Sequence, residues 1–336
     1  MKVFEIQEGF GLDHLRPAER DDPRPGPGQI LLGMRAVSLN YRDYLMVTGR
    51  YNPRQPLPLI PCSDGVGIVE EVGEGVEDLA VGDRVATVFS QGWLAGEPTQ
   101  AKIRSTLGGP LDGTLAEKMV LDATGVVAVP QELSDVEAAT LPCAALTAWS
   151  ALSVYGDVRA GDTVLVQGTG GVSLFALQLA RAMGARVILT SSSDAKLERC
   201  RELGTWAEIN YVDEPEWGKA AKRLTDGRGV DHVVDVGGGT TLEQSLAAVR
   251  VGGAISVIGI LGGVKAELAL TPILMRNVRI QGILVGSRES SEAMMRAFAG
   301  QRIKPMIDRV FPFDEAREAL LYLSGGHHLG KICISF

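Results

Sequence analysis

The sequence lacks several features that would each point to a particular class of protein. Its four cysteines, at positions 62, 143, 200 and 333, are widely spaced and form no Cys-x-x-Cys pair. This argues against a disulfide framework and against a cysteine-rich zinc site. No run approaches the ~20 apolar residues of a membrane-spanning helix, so no membrane partner is expected. We expect a cytoplasmic protein with reduced thiols.

Clustered basic side chains and abundant aromatic side chains are also lacking. Lys and Arg number 33 against 41 Asp and Glu, a net charge of −8, and aromatic residues make up 5% of the chain. Nucleic-acid binding relies on clustered cations for phosphates and on aromatic platforms for bases, so we expect no nucleic-acid partner. Glycine, by contrast, is abundant, with 41 residues. It directs attention to tight turns and to places where backbone approaches a ligand.

The pattern of strands and helices changes near residue 141. Before this point short strands alternate with turns rich in glycine and proline, which is typical of a β-rich domain. These strands are predicted at residues 30–37, 65–72 and 83–88. After it, apolar strands alternate with helices, which predicts an α/β fold with a doubly wound parallel sheet. Those strands are predicted at residues 163–167, 186–190, 230–235, 254–259 and 279–285.

A glycine-rich turn lies between the first of these parallel strands and the helix after it. Glycine at position 168 allows a tight turn, and glycine at positions 170 and 171 lets the backbone approach a pyrophosphate at the helix N-terminus. Ser173 replaces the third glycine of the usual motif but is small enough for close packing. The turn therefore predicts dinucleotide binding. It reads Gly168-Thr169-Gly170-Gly171-Val172.

The end of the second parallel strand bears on which dinucleotide binds. NAD-binding folds usually place an acidic residue there for the ribose hydroxyls, but this chain has Ser191 followed by Ser192. Hydroxyl groups do not repel a 2′-phosphate, and Lys196 is close enough in sequence to add a cation. Asp194 lies nearby in sequence, and its negative charge would oppose binding of a 2′-phosphate. We expect NADP(H), with NAD(H) as the alternative.

Several short segments outside the glycine turn carry a family signature. They are Asn40-Tyr41-Arg42-Asp43, Gly49-Arg50-Tyr51, Pro61-Cys62-Ser63-Asp64-Gly65, Leu141-Pro142-Cys143-Ala144 and Gly330-Lys331. Together with the glycine turn they resemble the medium-chain dehydrogenase/reductase superfamily, in particular its zinc-free, quinone oxidoreductase-like branch. The resemblance covers essentially the whole chain. It implies a GroES-like catalytic domain formed by residues 1–144 and 287–336, a Rossmann cofactor domain at residues 145–286, and a homodimer.

The resemblance also shows where zinc-dependent members of the superfamily hold their catalytic metal. The first cysteine ligand corresponds to Asn40, the histidine ligand corresponds to Ser63, and only the last cysteine is kept, as Cys143. Tetrahedral catalytic zinc needs three protein ligands of nitrogen, sulfur or carboxylate type. We therefore expect no metal.

For a zinc-free site the resemblance implies three candidate catalytic residues. Asn40 stands where the metal ligand would face the substrate and offers an amide donor, or else it satisfies backbone groups in a turn. Arg42 would stabilise an anion or touch the cofactor. Tyr51 would stack on a flat substrate or donate its hydroxyl, or else it is a rim aromatic without a role.

Further cofactor contacts follow from the same resemblance. Tyr211 is expected to cover the adenosine end, and Lys331 is expected to reach the pyrophosphate. The other candidates lie at the domain boundary and after the later strands, and they are Thr147, Gly237, Ile258, Gly259, Val285 and Gly286.

Together these features favour NADPH-dependent hydride transfer to a small molecule, either a quinone or an α,β-unsaturated carbonyl. The charge left by hydride addition spreads to an oxygen in such substrates, so a modest hydrogen-bond donor is enough. An alcohol dehydrogenase is one alternative, although reducing an isolated carbonyl leaves an alkoxide that calls for a Lewis acid or a strong proton donor. A dinucleotide-binding protein without turnover is the other alternative.

Overall fold

A computed structural model describes residues 1–336, which form fifteen strands and eleven α-helices. The strands are β1 (Lys2–Ile6), β2 (Leu15–Glu19), β3 (Gln29–Leu39), β4 (Asp64–Val72), β5 (Arg84–Thr87), β6 (Lys118–Asp122), β7 (Val126–Ala128), β8 (Thr163–Gln167), β9 (Arg186–Ser191), β10 (Ala207–Asn210), β11 (Val230–Asp235), β12 (Val249–Val257), β13 (Arg279–Gly282), β14 (Ile307–Pro312) and β15 (Lys331–Ser335). The helices are α1 (Tyr41–Val47), α2 (Gln100–Ile103), α3 (Asp135–Ala139), α4 (Leu146–Trp149), α5 (Gly171–Ala182), α6 (Asp194–Glu202), α7 (Trp217–Leu224), α8 (Leu242–Ala248), α9 (Thr271–Met275), α10 (Arg288–Gln301) and α11 (Ala316–Ser324).

The first of two structural units combines both ends of the chain, Met1–Leu146 and Gly286–Phe336. Its seven-stranded sheet has the order β14-β15-β3-β4-β5-β7, and β6 also pairs with β3. The eleven-residue β3 is almost entirely buried because it pairs with β4, β6 and β15 and packs under apolar side chains. The core of the first unit includes Leu39 of β3, Met46 of α1 and Leu320 of α11, which share one apolar cluster.

One strand pairing in this unit brings two distant parts of the chain together. Strand β15 runs antiparallel to β3, with Ile332 opposite Leu39. This register places Lys331, which precedes Ile332, beside Asn40, which follows Leu39. The first unit therefore brings Lys331 next to Asn40, although 291 positions separate them in sequence.

The second unit, Thr147–Val285, is built on a six-stranded parallel sheet. Its strand order is β10-β9-β8-β11-β12-β13. The chain moves outward from β8 to β10 and then returns to β11, so the strand order reverses between β8 and β11. Both of these strands are buried along their whole length, as a parallel sheet covered by helices on both faces requires. The predicted α/β fold class, a GroES-like unit with a Rossmann unit, is confirmed.

Some element boundaries differ from the sequence-based predictions. Helix α5 begins at Gly171, so it includes the last two residues of the predicted glycine turn. The last parallel strand ends at Gly282 instead of residue 285. This strand, β13, lies at the edge of its sheet and its four residues are exposed. The predicted homodimer is not tested by these features and stays a prediction.

No helix has both the length and the apolar content needed to cross a membrane.

Candidate active site

The glycine turn of the second unit has the geometry of an anion-binding loop. Gly168 adopts a φ of 72°, in the left-handed region that favours glycine. Gly170 is the N-cap of α5, and a Cβ added to it would meet no atom within 4 Å. The first N–H groups of this twelve-residue helix lack intrahelical acceptors. The positive end of α5 is thus open to a negatively charged group such as a pyrophosphate.

Beside this turn, the end of β9 carries the serines that bear on cofactor choice. Ser191 is buried, and its Oγ accepts a hydrogen bond from the Ser193 backbone N–H at 3.2 Å. Ser192 is exposed, and Lys196 is half-buried in the first turn of α6. The nearest acidic side chain, Asp194, accepts a hydrogen bond from the Asn210 amide at 2.8 Å.

The other cofactor candidates of the second unit follow later strands or lie at its ends. Ile258 and Gly259 are half-buried after β12, Gly237 is buried after β11, and Tyr211 is 42% exposed after β10. At the ends of the unit, Thr147 and Val285 are buried, and Gly286 begins the returning segment of the first unit.

Two of these glycines are needed for the packing of the protein itself. A Cβ on Gly237 would lie 2.4 Å from the Thr241 side chain, and one on Gly259 would lie 2.4 Å from the Val236 carbonyl oxygen. These glycines therefore allow neighbouring turns of the protein itself to pack together, with Gly262 N–H donating to the Gly237 carbonyl at 2.7 Å.

In the first unit a buried lysine contacts the candidate catalytic asparagine. The Lys331 ammonium donates to the Leu39 carbonyl at 2.5 Å and to Asn40 Oδ1 at 2.6 Å. Its side chain is 3% exposed. Because a lysine can only donate, Asn40 must turn its oxygen towards it and its amide nitrogen the other way. The expectation that Lys331 reaches a pyrophosphate is therefore corrected: its ammonium is buried on two acceptors within the first unit.

Two fully buried carboxyl groups complete this cluster. Asp64 accepts hydrogen bonds from the Ser63 hydroxyl at 2.7 Å and from the Cys143 backbone N–H at 3.1 Å. Asp43 accepts one from the Asn40 backbone N–H at 2.8 Å. The Asn40 amide nitrogen is sealed from solvent and lies near the Asp64 carboxyl, without completing a well-aligned hydrogen bond. Asn40 is half-buried as a residue, and the structure thus places its side-chain amide against a charged cluster.

Burial and the neighbouring cations shift the pKa values of these two carboxyl groups in opposite directions. Burial raises the pKa of Asp43 to about 6, with Arg42 and Lys331 opposing the rise and Asp64 adding to it. Burial also raises the pKa of Asp64, and the Lys331 ammonium is the strongest of the groups that oppose this rise. Lys331 therefore compensates the negative charge of both carboxyl groups.

Arg42 and Tyr51 lie side by side at the edge of this cluster. The Arg42 guanidinium donates to the carbonyls of Leu107 at 2.8 Å and Gly109 at 3.2 Å. The side chain is 9% exposed and holds these carbonyls, which gives Arg42 a structural role, and its expected role towards an anion or the cofactor stays a prediction. The Tyr51 ring lies 5.1 Å from the guanidinium carbon and is 46% exposed. Tyr51 is thus the most exposed of the three predicted catalytic residues.

Comparisons with known proteins agree with this two-unit arrangement. Residues 26–131 match the family model described as alcohol dehydrogenase GroES-like domain, and residues 171–300 match the model described as zinc-binding dehydrogenase. A zinc-type alcohol dehydrogenase-like protein of Schizosaccharomyces pombe is 44% identical over 331 residues, covering 96% of both chains. The chain belongs to the medium-chain dehydrogenase/reductase superfamily. An acryloyl-coenzyme A reductase of Metallosphaera sedula is 30% identical, covering 94% of this chain and 95% of its own.

Solved structures of superfamily members show the same fold. A putative alcohol dehydrogenase of Sinorhizobium meliloti 1021 is 43% identical with a TM-score of 0.93, covering 100% and 98% of the two chains. A structure described as an NAD-dependent alcohol dehydrogenase is 33% identical with a TM-score of 0.92, covering 100% of both. The crotonyl-CoA carboxylase/reductase AntE, in complex with NADP, is 25% identical with a TM-score of 0.88, covering 100% and 94%. This member of the superfamily is accordingly an NAD(P)-dependent oxidoreductase.

Sequence reasoning missed two features of the site. The contact between Lys331 and Asn40 was missed because it depends on a strand pairing across the whole chain. A hydrogen-bonded network of Gln167, Asp235 and Ser245 in the second unit was missed as well. Its signal was present, because Gln167 directly precedes the glycine turn and Asp235 lies two residues before Gly237.

Proposed function

We propose that this superfamily member is a zinc-independent, NADPH-dependent reductase of α,β-unsaturated carbonyls or quinones. The observation that carries the proposal is the Lys331 ammonium on Asn40 Oδ1, at 2.6 Å, where zinc-dependent relatives have a metal ligand. A cation bound directly to this group opposes the approach of a second cation.

The other potential donors of this cluster also fit zinc poorly. The Ser63 hydroxyl is used as a donor to Asp64. Burial and the Asp64 charge raise the pKa of the Cys143 thiol, which disfavours the thiolate form that binds zinc. No group of three or more His, Cys, Asp or Glu side chains in the chain is arranged to hold a metal ion. The residues at this position therefore do not fit a catalytic zinc.

The choice of substrate class follows from this chemistry. A bound nicotinamide supplies a hydride, and a conjugated acceptor disperses the resulting negative charge onto oxygen as an enolate or phenolate. Such an acceptor needs less electrophilic assistance than an isolated carbonyl. The exposed Tyr51 ring, backed by Arg42, offers a flat surface and a hydroxyl to a planar substrate. Relatives described as acryloyl-CoA and crotonyl-CoA reductases act on conjugated thioesters, which supports the same class.

The proposal is tested by NADPH oxidation with a panel of acceptors before and after incubation with 1,10-phenanthroline. We expect turnover with cyclohexenone, a crotonyl thioester or benzoquinone, unchanged by the chelator and with less than one zinc per ten chains by atomic emission. Oxidation of alcohols that is lost on chelation would instead identify the alternative, a zinc alcohol dehydrogenase. Tight NADPH binding without turnover on any acceptor would identify a non-catalytic dinucleotide-binding protein.

The preference for NADPH is part of the proposal and rests on the end of β9. No acidic side chain stands at position 191, where a carboxylate would face the ribose hydroxyls, and the buried Ser191 stands there instead. Lys196 lies in the first turn of the helix that follows. Asp194 is drawn towards Asn210 by a hydrogen bond of 2.8 Å, which limits its repulsion of a 2′-phosphate.

Replacing Lys196 with alanine is expected to weaken NADPH binding about tenfold and to leave NADH binding unchanged. The reason is that a charge-assisted hydrogen bond to the 2′-phosphate contributes about 1.5–3 kcal/mol, and about 1.4 kcal/mol corresponds to tenfold. Fluorescence titration of both cofactors measures this. Lys219→Ala, which removes an exposed lysine paired with Glu216 on α7, is the matched control. Equal losses for both cofactors in Lys196→Ala would contradict the assignment.

A further inference from the structure

A buried hydrogen-bond network links the carboxyl ends of β8 and β11 in the second unit. Asp235, at the end of β11, is completely buried and accepts four hydrogen bonds. Its Oδ1 accepts from the backbone N–H groups of Gly237 at 3.1 Å and Gly238 at 2.9 Å, and from the Thr241 hydroxyl at 2.7 Å. Its Oδ2 accepts from the Ser245 hydroxyl at 2.6 Å.

The network continues to the strand that precedes the glycine turn. The amide nitrogen of Gln167, at the end of β8, donates to the Ser245 hydroxyl at 2.8 Å, and its Oε1 accepts from Gly237 N–H at 3.3 Å. The backbone carbonyl of Gln167 accepts from the Ser173 hydroxyl at 2.7 Å, across the glycine turn. Gln167 therefore joins the glycine turn to the turn at Gly237 and Gly238.

The position of this network in the sheet matters for ligand binding. Strands β8 and β11 are neighbours, and the strand order reverses between them. In open parallel sheets the ligand binds outside the carboxyl ends of the strands at such a switch point. The two turns that the network connects are the ones that follow β8 and β11 at this point.

A charged residue at the end of a buried strand needs an explanation. An apolar side chain of similar volume would fill this space at lower desolvation cost. A carboxylate with all of these donors instead fixes the backbone that supplies them, because breaking any one bond leaves a buried polar group unsatisfied. The network is thus suited to hold two turns in one geometry.

We propose that Asp235, Ser245 and Gln167 are positioning residues that hold the glycine turn and the Gly237–Gly238 turn in register for the dinucleotide. The proposal rests on the dinucleotide-binding part of the proposed function. None of the three side chains needs to touch the cofactor. A turn that is already ordered loses less conformational freedom on binding, so the network contributes to affinity through preorganisation.

Affinity for the cofactor tests this proposal with a control in the same strand. Ser245→Ala and Asp235→Asn are each expected to weaken NADPH binding about tenfold or more, measured well below their unfolding temperatures. Asp231→Asn is the matched control. Asp231 is the second residue of β11 and accepts hydrogen bonds from Thr163 N–H, Arg228 and Arg250 at the opposite end of the strand from Asp235. This control should lower stability but change NADPH affinity less than twofold.

Amide hydrogen exchange on the protein without cofactor supplies a second, independent readout. Ser245→Ala should speed exchange both at residues 168–171 and at residues 237–239, although Ser245 bonds directly to neither backbone segment. Wild-type affinity in both variants, an equal affinity loss in Asp231→Asn, or faster exchange in only one of the two turns would each overturn the proposal. If the wild-type protein binds no dinucleotide, the proposed function fails, and the exchange measurement still decides whether the two turns are coupled.

Discussion

Replacing Gly170 with aspartate should abolish dinucleotide binding and leave the cofactor-free protein at least as stable as the wild type. A side chain at this position meets no atom within 4 Å, and the backbone φ of −77° suits any residue. Aspartate is also a preferred N-cap residue, and its charge favours the positive end of a helix. The same carboxylate would lie where the pyrophosphate binds. Two negative charges ~4 Å apart repel by about 4 kcal/mol at an effective dielectric of ~20.

We therefore expect the affinity for NADPH and NADH to fall about 100-fold or more, a loss of about 2.7 kcal/mol. Fluorescence titration measures the affinity, and thermal unfolding without cofactor measures the stability. Gly170→Asn is the matched control, because asparagine has nearly the same size, is also a good N-cap and carries no charge. Equal losses of affinity in Gly170→Asn and Gly170→Asp would show that the size of the new side chain, and not its charge, weakens dinucleotide binding. Unchanged binding in both variants would place the pyrophosphate elsewhere.

The second unit was easier to predict from the sequence than the first. Several of its strands are short, largely apolar segments bounded by turns, and β8 and β11 have the bounds that the pattern predicted. Helix α10 was missed although the signal was present. Its buried residues Ser291, Met294, Met295 and Phe298 follow helical spacing, and Ser287 accepts a hydrogen bond from the Ser290 N–H at its N-terminus. The polar residues between them obscured the pattern.

The candidate site was predictable only where its chemistry is local. The glycine turn is a contiguous motif between a strand and a helix, so the sequence alone indicated its role. The cluster around Asn40 is assembled from β3, α1, β4 and β15. Nothing in the sequence specifies that β15 pairs with β3, which requires closing a loop of almost the whole chain. For this reason Lys331 was assigned to the cofactor instead of to Asn40.

Replacing Lys331 with methionine should destabilise the protein strongly and in a pH-dependent manner. The change removes the main cationic partner of the buried Asp64 and one of two such partners of Asp43. Lys331 acts on these carboxyl groups through its charge, so the loss of about 3–5 kcal/mol seen when one partner of a direct buried ion pair is removed is the upper limit of the expected loss. Lys304→Met is the matched control: Lys304 pairs with Glu137 at the surface of the same unit, where such pairs contribute about 0–1 kcal/mol.

The sign of the pH dependence follows from the raised pKa values. An unfolded aspartate titrates near 3.8, whereas the pKa of Asp43 in the folded protein is about 6. A carboxyl group with a raised pKa in the folded state destabilises the fold above that pKa and stops doing so as the pH falls towards its unfolded value. Without Lys331 both carboxyl pKa values rise further. The stability loss in Lys331→Met should accordingly be largest near pH 8 and should shrink as the pH falls towards 6.

A double variant separates charge from packing in this cluster. If Lys331 acts mainly through its charge, Lys331→Met combined with Asp64→Asn should recover a large part of the stability lost in Lys331→Met at pH 8. Thermal unfolding of the wild type, both single variants and the double variant measures the coupling energy. A stability loss in Lys331→Met that is constant from pH 5 to 8, together with additive effects in the double variant, would show that Lys331 stabilises the protein through the packing of its aliphatic part. A pH-dependent loss with strong coupling would show that Lys331 stabilises the first unit mainly through the positive charge of its ammonium group.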